Sequence, residues 1–165
     1  AKTPECAFDC DENTFAITGG LLVGVGTSNY SKPTSSECTQ STVVLSGDYF
    51  GAGGTTFAVE DSSGNAVFAF AIPSAFGTSA NSQYIMILSS PEIKTGTTYK
   101  AVSGVTASGG STFSNLYVEL PDVSGGTTTA SNIATTTSSY VYTKTSGTTG
   151  GATEGTHPNP GPGGR

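Results

Sequence analysis

The stretch TTFAVE (55–60), DSSGN (61–65), AVFAFAI (66–72) decides the fold class. Two apolar, aromatic and β-branched runs flank five turn-forming residues, which is the pattern of an antiparallel hairpin. Neither run is long enough for a stable helix, and Pro73 closes the second. Downstream, YIMILS (84–89) is short, wholly apolar in its centre and followed by Pro91, so it reads as a central buried strand. Thr97 to Val102, FSNLYVEL (113–120) and a final Tyr140-Val141-Tyr142 edge strand continue the series, separated by Lys94-Thr95-Gly96, Pro121 and Gly125-Gly126. Upstream, Phe8/Cys10 and Phe15/Ile17 alternate with period two, stop at Gly19-Gly20 and resume as Leu21, Val23 and Val25. That is the pattern of a β-helix coil turning at glycine, and equally of a hairpin with a Gly-Gly turn. No stretch reads as a helix.

Composition agrees. The 165 residues include 23 glycines and 8 prolines, only 11 % are charged, and Ser and Thr are abundant. Coiled coils and helical bundles need a different alphabet. There is no apolar run of membrane-spanning length, so no membrane span is expected. A net charge of -6 with six Lys plus Arg argues against a nucleic-acid partner. From Ser146 the chain becomes SGTTGGATEGTHPNPGPGGR, which cannot build a core. The organisation read from the sequence is residues 1–45 as terminal β-helix coil and loop, 46–145 as an antiparallel β cap, and 146–165 as a Gly/Pro-rich tail or arm.

The cysteines are Cys6, Cys10 and Cys38. They lack zinc-site spacing, and the single histidine, His157, sits in the tail. If extended, Cys6 and Cys10 lie about 13 Å apart, beyond disulfide reach. Cys38 is therefore expected to pair with one of them, with Cys6, beside Pro4, preferred. A disulfide suits a secreted or cell-surface protein. No basic-then-apolar leader follows Ala1, so either a signal peptide has been removed or the chain is part of a longer one.

The strings ECAFDCDENTFAITGGLLVGVG, CTQSTVVL and DSSGNAVFAF, with the element SSPEIKTGTTY (89–99), give the chain a family likeness over residues 4–143. It resembles the C-terminal part of bacterial carbohydrate-binding domain-containing proteins built as a right-handed parallel β-helix. The resemblance implies an all-β chain: the end of such a helix, then an antiparallel β-rich cap. It implies a polysaccharide or glycan partner and calcium at acidic corners. The acidic run Asp9, Asp11, Glu12, Asn13 supplies hard oxygen donors, and Asp9, Asp11 and Asn13 are the expected calcium ligands.

Catalysis is not expected. His157 cannot be held against a nucleophile among prolines and glycines, and the carboxylate pairs Glu60/Asp61 and Glu119/Asp122 sit at strand ends beside turns, where solvated charge is ordinary. Sugars are held by aromatic faces. With no Trp in the chain, the expected ligand-facing residues are Tyr30, Tyr49, Tyr140 and Tyr142. The expectation is thus a secreted, non-catalytic carbohydrate-binding module. The alternative is a structural subunit that self-associates through β-edge and tail contacts into an extracellular fibre or matrix.

Overall fold

A computed structural model describes residues 7–8, 15–27, 38–76, 84–135 and 140–143. The chain runs through β1 (Leu22–Thr27), β2 (Thr42–Ser46), a single helical turn α1 (Gly47–Phe50), β3 (Thr56–Glu60), β4 (Ala66–Ala71) and a 3-10 turn (Ser74–Phe76). It continues with β5 (Tyr84–Ser89), β6 (Thr98–Ser103), β7 (Thr106–Ser108), β8 (Ser111–Phe113), β9 (Leu116–Glu119), β10 (Asp122–Ser124), β11 (Thr127–Ala134) and β12 (Tyr140–Thr143). The expected all-β class is what the structure shows.

The strands make two main sheets. One has the order β1-β5-β2-β12, the other β11-β6-β3-β4-β9-β8, and β7 with β10 forms a separate ribbon. Alternate residues of the main sheets share one core: Val43, Leu45, Met86 and Leu88 from the four-stranded sheet, and Phe57, Val59, Phe68, Tyr99 and Ile133 from the six-stranded sheet. Phe57 and Phe68 pack as a tilted pair with centroids 6.5 Å apart. This is a sandwich, and its outer faces are partly covered too. Ala7, Phe8 and Leu22 lie on Val44, Ile85 and Ile87. Val123 of the ribbon lies against the cluster of Ala58, Val102 and Val105.

The hairpin at 55–72 forms as read, with β3 and β4 antiparallel and Phe57 opposite Phe70. Its turn is built by Asp61, whose Oδ1 accepts the backbone N–H of Ser63 at 2.8 Å and of Asn65 at 2.9 Å. YIMILS is also as read: β5 lies between β1 and β2, antiparallel to both. Such a strand is buried on both faces, hence its unbroken apolar run.

The β-helix coil expected before residue 45 is not seen among the described residues. Gly20 does turn the chain, with φ of 83°. Yet residues 15–18 are not a strand. They lie against residues 38–40, where the N–H groups of Thr39 and Gln40 both donate to the Ile17 carbonyl. After the turn, β1 leaves to pair antiparallel with β5, with Leu22 in register with Ser89, 67 positions downstream, rather than stacking on a neighbouring coil. The parallel pairing that does occur is β12 on β2. Consequently β1, β2 and β5 belong to one sheet, although the chain before and after residue 45 differs in composition.

Gly24 explains the glycine pattern of β1. A Cβ there would stand 2.6 Å from Phe8 Cε2, so the strand has no side chain where the Phe8 ring crosses it. The ring also meets Phe15, with centroids 5.4 Å apart.

Candidate functional site

The sheets differ in width, and this creates the most distinctive surface. β11, at one edge of the six-stranded sheet, approaches β12, at one edge of the four-stranded sheet. Counting inward from there places β6 over β2, β3 over β5 and β4 over β1. The α1 turn fits this stacking, since it touches β2, β5, β6 and β11. Two strands, β9 and β8, then extend beyond the end of the smaller sheet.

These two form a tight hairpin. Ser114 and Asn115 both have positive φ, 47° and 72°, the backbone of a two-residue turn that suits twisted strands. The hairpin is anchored where Phe70 pairs with Leu116 and where Ala71 N–H donates to the Asn115 carbonyl at 2.9 Å. Phe113 stands opposite Leu116, so the two share a face, while Val118 lies at a register shift between Tyr117 and Glu119. Leu116 still packs on the core. Phe113 and Val118, beyond cover, are 74 % and 50 % exposed.

Beside the turn is an open cleft of about 410 Å³, bordered by Gly54, Thr55, Ala71, Pro73, Ser74 and Asn115 among others. Backbone pairing fixes its floor: Gly54 N–H donates to the Ile72 carbonyl at 2.8 Å, and Ile72 N–H to that of Thr55 at 2.9 Å. Among the described residues that line it, none is titratable; they offer hydroxyls, an amide and small apolar groups.

The carboxylates singled out by sequence serve other ends. Glu60 pairs with Lys100 at 2.9 Å across β3 and β6. Asp61 caps its turn, where hydrogen bonds from the Asn65 backbone and side chain, with lesser ones from Ser63 and Gly64, hold its carboxyl below the usual 3.8 against an opposing desolvation. Glu119 and Asp122 are exposed. Among the described residues no cluster of His, Cys, Asp and Glu could hold a metal ion, and no helix is long and apolar enough to cross a membrane.

Of the expected ligand-facing residues, Tyr49 lies in α1 and packs, partly buried, against the core. Its carbonyl accepts the Thr129 hydroxyl at 2.5 Å. Tyr140 and Tyr142 are in β12, in register with Thr42 and Val44. Tyr30, the expected calcium ligands Asp9, Asp11 and Asn13, and the cysteines Cys6 and Cys10 lie outside the described residues. Cys38 is held beside the N-terminal segment, its Sγ accepting the Ile17 N–H at 3.4 Å.

Sequence reading missed Phe113, because FSNLYVEL looks like one alternating strand. The available signal was Ser114-Asn115, a pair that tolerates positive φ between two β-forming runs. Comparison of the chain with protein-family models, with curated proteins and with solved structures finds no match.

Proposed function

We propose that the protein is a secreted, non-catalytic module that binds a neutral polysaccharide or glycan at the bacterial cell surface. The observation that carries this reading is the exposed ring of Phe113, two residues from Asn115 at the border of an uncharged cleft. An aromatic face stacks on the apolar face of a pyranose ring, and the Thr, Ser and Asn groups nearby can exchange hydrogen bonds with its hydroxyls. In this reading the platform is Phe113. Titrating neutral and acidic oligosaccharides against the native protein and Phe113→Ala tests it. Binding of neutral sugars that Phe113→Ala weakens about tenfold or more is expected. Binding unchanged by the substitution, or limited to acidic sugars, sinks the assignment. A disulfide from Cys38 to Cys6 belongs to the same secreted reading, and a non-reducing peptide map that finds both as thiols removes it.

A second reading, a self-associating structural subunit of an extracellular fibre or matrix, is favoured by one specific observation. The outer edge of β1 is a six-residue strand, Leu-Val-Gly-Val-Gly-Thr, with neither charge nor proline.

A further inference from the structure

Proteins blunt the edges of their sheets with short strands, bulges, charges or proline, because an open edge templates another strand. The six-stranded sheet follows this rule. Its β8 edge is three residues long, and its β11 edge carries two register shifts, between Thr128 and Ala130 and between Ala130 and Ile133. β1 does not. It pairs with β5 without any register shift along six residues, and among the described residues nothing pairs with its other side. Val23 and Val25 face the core from this edge yet are only half-buried.

The overhanging hairpin makes the edge selective. A strand laid beside β1 would lie beneath β9, and its inward side chains would meet the exposed ring of Phe113. A whole second sheet would not fit. Antiparallel two-fold pairing of β1 with β1 of another copy keeps both six-stranded sheets on one side, so each overhanging hairpin would run into the other copy's sheet. The space admits one strand.

The geometry points to β1 as the acceptor edge for a strand donated by residues 145–153 of a second copy of this chain. This rests on the self-association reading and names its contact. Residues 145–153, TSGTTGGAT, form an uncharged, proline-free stretch with four β-favouring threonines. Small side chains suit the glycine-lined edge, and the neutral stretch matches the neutral edge. The position of β12 decides between copies. β12 and β1 are opposite edges of one sheet, so the new strand would lie four strand spacings from β12, about 19 Å. Between Thr143 and Thr145 the chain spans only about 7 Å. The start of this stretch therefore cannot reach β1 of its own molecule. Passed from copy to copy, the contact is head-to-tail, so it need not close and can build a fibre.

The test uses the full chain and a variant with Thr148→Pro and Thr149→Pro. Adjacent prolines remove an N–H on each side of the donated strand and touch none of the sandwich strands. Sedimentation velocity across a concentration series is combined with amide hydrogen exchange at residues 23–27. The native chain is expected to associate as concentration rises, with exchange at these amides slowing about tenfold or more, and the variant to do neither. Association that persists in the variant overturns the donated strand while leaving self-association standing. No association at any concentration overturns both. Protection lost in the variant but independent of concentration assigns the stretch to its own molecule and also overturns the proposal.

Discussion

The hydroxyl of Tyr99 accepts the backbone N–H of Lys94 at 2.7 Å. That bond closes the loop from β5 to β6, and Thr135 closes it from the other side. The Thr135 hydroxyl donates to the carbonyls of Lys94 and Thr97 and accepts the Thr97 N–H at 3.0 Å. Ser90 begins the loop, its Oγ accepting the Glu92 N–H at 3.1 Å. The element SSPEIKTGTTY, which most strongly suggested a family likeness, is thus a structural lock here: its Tyr and leading Ser satisfy backbone groups.

Tyr99→Phe leaves the ring in the core and removes the acceptor. Tyr99 is 3 % exposed, and the Lys94 N–H loses its partner. A loss of about 1–2 kcal/mol is expected, read as a lower urea midpoint with an unchanged slope. A midpoint equal to that of the native chain would show that water replaces the hydroxyl.

Gly24 and Phe8 predict a coupling. Gly24→Ala places a methyl 2.6 Å from Phe8 Cε2, so the ring must shift on Val44, Ile85 and Ile87. The expected cost is about 1–3 kcal/mol. With Phe8→Ala already present the clash is gone, and Gly24→Ala should be neutral or slightly stabilising because a strand glycine costs backbone entropy. A double-mutant cycle measures this. Additive effects would mean that the ring does not rest on β1.

Asp61 gives a pH dependence with a fixed sign. Its carboxylate is favoured in the folded turn, so the folded pKa lies below the unfolded value near 3.8. The stabilisation is fully present above the unfolded pKa and is lost as pH falls through the folded one. A carboxyl-carbon NMR titration should find Asp61 titrating below 3.8. Asp61→Asn keeps an acceptor for Ser63 and Asn65 and should retain the hairpin without this pH dependence. A titration at or above 3.8 contradicts the turn as described.

What the sequence disclosed was local. The Asp61 turn, the β3–β4 hairpin and the buried β5 can be read because their causes lie within a few residues: an Asx turn, alternation, an apolar run bounded by proline. The partner of β1 could not be read this way. Leu22 meets Ser89 and Val25 meets Met86, pairings chosen by core shape rather than by Gly19-Gly20, so a coil and a hairpin fitted equally well. The helical turn at Tyr49 could not be read for a related reason. GDYF has no helical periodicity, and its single turn forms because the space between the sheets needs filling, with Phe50 buried there. Exposure of Phe113 depends on one sheet being wider than the other, which no window of sequence contains.

Thr42 supplies the last prediction. It begins β2, opposite Ser89 on one side and Tyr140 on the other, and is fully buried. Among the described residues its Oγ1 has no hydrogen-bond partner. The neighbouring hydroxyl of Ser89 is engaged: it donates to the Ser41 carbonyl at 2.7 Å and accepts from Gln40 Nε2, also at 2.7 Å. A buried hydroxyl with no partner costs about 1–3 kcal/mol of lost hydration. Valine has the same shape without that penalty and a higher preference for strands. Thr42→Val should therefore raise stability by about 1 kcal/mol, seen as a higher thermal midpoint, whereas Thr42→Ser keeps the hydroxyl, removes a methyl and should lower it. A destabilised Thr42→Val would mean that this hydroxyl bonds a buried water or a group along β12, and that the start of β2 is held by a polar contact rather than by packing.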